Sequence, residues 1–133
     1  MTAAGFVMAG RRAAEALMVD ACTVTRPAGA AGQDESTGRR TAAAAATVYA
    51  GVCRVQLPDV DPNRSDAGER TWTVERSTIS LPISVLTVAV GDVIAITASA
   101  LDPALVGRRY RVTGVAAKTH LTARRLSCER VAG

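Results

Sequence analysis

The sequence predicts a mainly β fold: a small closed antiparallel β-barrel carrying one N-terminal α-helix and long loops. Three observations lead there. Residues 91–131 read as three strands joined by connections of about a dozen residues or fewer, which is the pattern of an antiparallel meander. Two strands change the parity of their apolar positions partway, which requires bulges and strong coiling. The core must also rest on Val, Ile and Leu, because aromatics are 3% of the 133 residues and much of the 48% hydrophobic content is alanine. A bare meander leaves edges that recruit other chains, so the upstream strands are expected to complete it into a tube.

At this length one domain is expected over residues 1–133, with the helix in 1–20, the barrel in 21–131, and long loops at 28–46 and 58–69. Gly5 to Val19 has helical spacing of Phe6, Ala9, Ala13, Ala16 and Leu17, opposite Arg11, Arg12 and Glu15. That apolar face is thin, so the helix needs tertiary packing, on the barrel end or on a neighbouring subunit. Ala21 to Arg26 alternates as a strand with Cys22 and Val24 on one face, and Pro27 ends it. Residues 28–46 hold glycines, alanines and charges with no alternation and no large apolar anchor, which reads as a long loop.

Thr47 to Leu57 is the clearest strand. Tyr49, Gly51, Cys53, Val55 and Leu57 share one face, and mid-strand Gly51 implies a bend or a close approach. Pro58 ends it, and residues 59–69 are a polar hairpin loop without the ligand spacing of a calcium-binding loop. Arg70 to Leu81 changes parity between Trp72/Val74 and Ile79/Leu81, placing a bulge near 76–78. Residues 82–90 are a short apolar connection into the Gly91-Asp92 turn. Asp102 to Gly107 makes a second turn before Arg109 to Thr113. The last strand, His120 to Val131, changes parity between Leu121/Ala123 and Leu126/Cys128, with the break at Arg124-Arg125.

The chemistry-bearing residues exclude more than they support. His120 is the only histidine and opens a strand from a solvated turn. No GxSxG, Walker or dinucleotide-binding glycine pattern occurs. The paired carboxylates lie in polar loops that do not raise a carboxyl pKa for acid catalysis. Cys22, Cys53 and Cys128 lack a close ligand pair and read as buried thiols. The expectation is therefore no enzyme, no catalytic residue, no metal and no cofactor. The opening segment matches neither a signal peptide nor a membrane span.

The net charge of +4 is unevenly placed. From Arg108 onward there are seven basic residues (Arg108, Arg109, Arg111, Lys118, Arg124, Arg125, Arg130) and one acid, Glu129, while the upstream part leans acidic. Of the 16 basic residues 15 are arginine, which pairs in a fork with carboxylate or phosphate. A small nucleic-acid-binding barrel using the 108–130 face is one reading. Its weakness is that the four aromatics, Phe6, Tyr49, Trp72 and Tyr110, are scattered and at least three sit at core parity, leaving no stacking platform.

One ordered set of motifs adds to this. An Ala/Arg-rich helix precedes ACTVTRP and a long loop containing TGRR. Val48-Tyr49-Ala50-Gly51 with Cys53-Arg54-Val55, then Gly91-Asp92-Val93, then Asp102-Pro103 with Gly107-Arg108 and Tyr110-Arg111-Val112 follow in order. From about Arg12 to Val131 the chain resembles the head-closure, or head-to-tail stopper, proteins of long-tailed bacteriophages and prophages, in the actinobacterial-phage branch. The resemblance implies a virion structural protein of the phage neck. It would assemble in the host cytoplasm as a homo-oligomeric ring of six or twelve copies, twelve being favoured. The ring would join portal and adaptor proteins above to the tail terminator or tail tube below and close the channel. Genomic DNA would pass through without sequence readout, and no membrane is involved. A tail terminator or minor tail protein is the neighbouring reading.

Within that picture Gln33, Asp34, Glu35, Arg39 and Arg40 are the candidate channel-loop residues, with residues 59–69 as a second candidate loop. Arg11, Arg12, Arg64, Arg108, Arg109, Arg124 and Arg125 are the candidate ring or partner interface. The 42–46 alanine run has no counterpart in the resemblance.

Overall fold

The computed structural model describes residues 2–28, 32–33, 40–41, 45–57 and 75–131, with backbone alone for 32–33 and 40–41. In chain order the elements are α1 (Ala3–Ala16), β1 (Asp20–Arg26), β2 (Gly32–Gln33), β3 (Arg40–Thr41), β4 (Ala46–Gln56), β5 (Arg76–Leu81), β6 (Val93–Ser99), a 3-10 turn (Pro103–Leu105), β7 (Arg109–Val115) and β8 (Arg124–Val131).

Six strands close into a barrel in the order β1-β4-β5-β8-β7-β6, with β6 returning to β1 and every pair antiparallel. The meander β6-β7-β8 is as the sequence predicts, and β1, β4 and β5 complete it. This alternation sorts the connections. The β1–β4, β5–β6 and β7–β8 connections leave one end of the barrel. The β4–β5 and β6–β7 connections leave the other end, where β1 also begins.

The interior is filled by alternate residues of all six strands: Cys22 and Val24, Cys53, Ile79 and Leu81, Ile94 and Ile96, Tyr110 and Val112, Leu126 and Cys128. Val88 and the half-buried Val48, Tyr49, Val55, Val85 and Leu105 pack against them. Among the described residues Tyr110 is the one aromatic fully inside. Tyr49 is half-buried, and Phe6, placed at core parity by the sequence, is 65% exposed.

Closing a barrel this narrow requires tight coiling, and the bulges that supply it lie at three sites. Against β1, the β4 pairing skips Val48 and the β6 pairing skips Thr97. Between β7 and β8 the skipped residue is Thr113. The two parity breaks expected elsewhere resolve differently. β8 begins at Arg124, and the buried Leu121 and Ala123 belong to the turn before it rather than to a bulged strand. β5 alternates regularly from Ser77 through Ile79 to Leu81; Trp72 and Val74 lie outside the described residues.

Two further expectations are corrected. The long 28–46 loop contains a two-stranded ladder, β2 with β3, pairing Gly32 with Thr41 and Gln33 with Arg40. The helix starts earlier and is rotated relative to the predicted face. Thr2 caps it, its hydroxyl accepting from the Gly5 amide at 3.1 Å. Phe6, Ala9, Ala13, Ala16 and Leu17 all face solvent, while Val7, Gly10, Arg11 and Ala14 are half-buried and Met18 is buried. The cause is a contact that hydropathy does not register. A Cβ on Gly10 would stand 2.9 Å from the Thr122 methyl, so the bare glycine lets α1 approach the β7–β8 turn.

Candidate interaction surfaces

The helix is held to the barrel mainly by polar and small residues. Beside the Gly10–Thr122 contact, Arg11 Nε donates to the Leu121 carbonyl at 3.2 Å. Ala4, Val7, Met8, Arg11, Thr119 and His120 line a groove of about 280 Å³ along this seam, below the roughly 300–1,000 Å³ of small-molecule sites. The outward stripe carries Phe6 and Leu17, 65% and 54% exposed. Large apolar side chains are also exposed at both ends of the barrel. Leu86 and Val90 lie on the β5–β6 connection, and Leu57, Leu101 and Val106 lie at the opposite end.

The Gly91-Asp92 turn is an anchor. Gly91 adopts φ +96°, open to glycine and strained for other residues. Its amide donates to the Val112 carbonyl, and the Val112 amide donates to the Asp92 carbonyl, both at 2.8 Å. The Asp92 carboxylate is buried. It accepts from the Ala89 amide at 2.8 Å and from Arg26 Nε and Nη2 at 3.1 and 3.2 Å. Hydrogen bonding to that carboxylate raises the Arg26 pKa further above its ordinary value. Arg26 Nη2 also donates to the Thr87 carbonyl at 2.9 Å, and the Thr87 hydroxyl donates to the Val48 carbonyl at 2.7 Å. The residues that end β1 and begin β4 are thus tied to one another through Thr87.

The candidate arginines divide into three groups. Arg124 is turned to structural use: Nε donates to Val85 O at 3.2 Å, Nη1 to Ala116 O at 3.1 Å and Nη2 to Ile83 O at 3.2 Å, joining the β5–β6 and β7–β8 connections. Arg108 pairs with Glu75, whose other oxygen takes Arg130 at 3.1 Å. Arg12, Arg109 and Arg125 are exposed, and Arg11 is half-buried at the helix seam. Arg64, Asp34, Glu35 and Arg39 lie outside the described residues; Gln33 and Arg40 are backbone partners in the β2–β3 ladder. Register adds Arg54, Arg76 and Arg111, which share an outer wall with Arg125. The signal was present as strand parity, but parity does not reveal which strands are neighbours.

The three thiols are free and buried in the core. Burial pushes the Cys128 thiol up to about 12, and a hydrogen bond with Cys22 raises Cys53. Burial likewise pushes the Tyr49 phenol up to about 12, and its hydroxyl donates to the Val52 carbonyl at 2.7 Å. Cys53, Cys128 and Tyr49 are protonated and packed at neutral pH. Among the described residues no three His, Cys, Asp or Glu side chains gather as metal ligands, and no helix is long and apolar enough to cross a membrane.

Residues 10–129 match the model of a protein family described as a family of unknown function, DUF6093. No curated protein and no solved structure matches the chain.

Proposed function

The chain belongs to this DUF6093 family, and we propose that it is a structural protein of the phage neck, a head-to-tail stopper. Its copies form a ring that joins the portal and adaptor to the tail and closes the DNA channel. The observation that carries the reading is α1. A helix that buries its glycine side and exposes Phe6 and Leu17 is built to be covered by something outside the chain. In a ring the next copy supplies that cover through a heterologous contact, one patch meeting a different patch.

Two features support it. The barrel interior is occupied by Tyr110, Ile79, Leu81, Ile94, Ile96 and Leu126, which leaves no substrate-sized space there. Apolar side chains are exposed at both ends, including Leu86 at 79% and Leu101 at 81%, as stacking between an upper and a lower partner requires. The resemblance stated above contributes the identity of those partners.

Electron microscopy of assembled particles tests the proposal. Barrel density on the axis between portal and tail is the expected result; a protein found away from that axis ends it. Deletion of residues 30–45 is expected to leave the barrel folded, because loop length costs little stability, and to impair DNA retention in filled heads. Unfolding of the deleted protein, read by circular dichroism, would show that the segment belongs to the core.

A further inference from the structure

One outer wall of the barrel collects arginines that the ion pairs do not use. Cross-strand register sets the outward side chains in rows. Arg54 of β4 and Arg125 of β8 form the first, flanking Ser80 of β5, which is itself buried. Gln56, Thr78 and Ser127 form the second. Arg76, Glu129 and Arg111, from β5, β8 and β7, form the third, and Arg109 extends it along β7. With strands about 4.8 Å apart and a rise of about 3.4 Å per residue, Arg54, Arg125, Arg76 and Arg111 mark a skewed frame of roughly 10 by 13 Å around the Thr78 and Ser127 hydroxyls. Arg76, Arg109, Arg111 and Arg125 are exposed and Arg54 is half-buried. Among the described residues the ion pairs are Arg26–Asp92, Arg108–Glu75 and Arg130–Glu75, none of which engages these five. Glu129 is the only carboxylate in the rows.

We propose that this wall binds the phosphate backbone of duplex nucleic acid without reading its bases. The guanidinium fork matches phosphate oxygens, and the Thr78 and Ser127 hydroxyls between them are further phosphate donors. The three rows contain no aromatic to stack on a base and present no helix or ribbon to enter a groove. They also contain no apolar residue, whereas the centre of a protein–protein contact is typically desolvated around aromatic or aliphatic anchors. That contrast favours a polyanionic backbone over an acidic protein face. The inference does not depend on the neck reading, and the two can fail separately.

The test is fluorescence anisotropy of the full-length protein with a labelled duplex of arbitrary sequence, titrated between about 50 and 200 mM salt. Four to five neutralised phosphates give a slope of log affinity against log salt of about −4. Arg111→Ala with Arg125→Ala is expected to reduce that slope by about 2 and to weaken low-salt binding at least about tenfold. Arg111→Lys with Arg125→Lys should retain most of the slope, because the charge remains. Arg12→Ala, on the helix, should leave affinity within about twofold, and thermal melts confirm that each variant is folded.

Absence of duplex binding by the wild-type protein at about 50 mM salt overturns the inference. So does equal loss in Arg12→Ala, or binding of polyglutamate in preference to the duplex. A neck-located protein whose duplex affinity survives Arg111→Ala with Arg125→Ala defeats this inference alone. Salt-dependent, wall-dependent binding by a protein absent from the neck defeats the neck reading alone.

Discussion

The barrel has two outer walls that differ more than its interior does. Around β1 the rows are Val52–Ala21–Ala98, Ala50–Thr23–Ala95 and Thr47–Thr25–Val93, small or β-branched and uncharged throughout. Across β4, β5, β8 and β7 they hold Arg54, Arg125, Arg76 and Arg111. Beneath both walls the inward positions are alike: Cys22, Val24, Ile94 and Ile96 on one side, Ile79, Leu126, Cys128 and Val112 on the other. Folding therefore constrains the two sides equally from within. The difference outside is not required to close the barrel, and it separates a face that admits close approach of another backbone from a face that attracts a polyanion.

If the interiors are equivalent, truncating either should cost about the same. Ile94→Ala beneath the neutral wall and Tyr110→Ala beneath the arginine wall are each expected to lose about 3–5 kcal/mol in denaturant unfolding. A large disparity would show that one side carries most of the core.

Arg124 joins connections at one end of the barrel rather than serving either wall. Arg124→Ala is expected to cost about 2–3 kcal/mol by the same measurement, because three carbonyls lose a charged donor. Arg124→Lys should recover less than half, since an ammonium cannot reproduce the fork.

Two buried thiols, Cys53 and Cys128, link stability to pH. The folded pKa values of Cys53 and Cys128 are raised above the unfolded ones, so their contribution is complete below about pH 9 and is lost as pH rises toward the folded value. A loss of about 2 kcal/mol by about pH 10.5 is expected from Cys128, visible as a falling melting temperature. Cys128→Ala should flatten that decline.

Outward substitutions should be the quietest. Ala21→Arg and Arg111→Ala are each expected to change the stability of the isolated chain by at most about 0.5 kcal/mol. They should part in assembly: if the neutral wall meets a neighbouring copy, Ala21→Arg shifts native mass spectra toward monomer and Arg111→Ala does not.

Much of the architecture was legible because it rests on alternation. Val93 to Ile96, Arg109 to Thr113 and Thr47 to Leu57 each show the period of two, and Pro27 and Pro82 mark strand ends. The sites of the bulges were not legible. Val48, Thr97 and Thr113 are skipped because of how a partner strand sits beside them, which no single strand records. The helix face was misread for a related reason. Hydropathy weights Phe6 and Leu17 heavily and Gly10 hardly at all, yet the missing side chain of Gly10 decides which face lies against Thr122. Of the candidate interface residues, Arg109 and Arg125 are exposed on the arginine wall, although the sequence places a parity break at Arg125. Only the closed strand order brings Arg54 and Arg76 alongside them.

Thr87 has a practical consequence. Because it holds Arg26 with its carbonyl and Val48 with its hydroxyl, the chain leaves the barrel after β1 and re-enters at β4 from two posts fixed independently of what is threaded between them. A foreign peptide or affinity tag spliced in between Pro27 and Ala45 would start and finish at the same points as the native segment. That makes this position a natural graft site, where the sequence can be rewritten at little cost to the melting temperature of the scaffold.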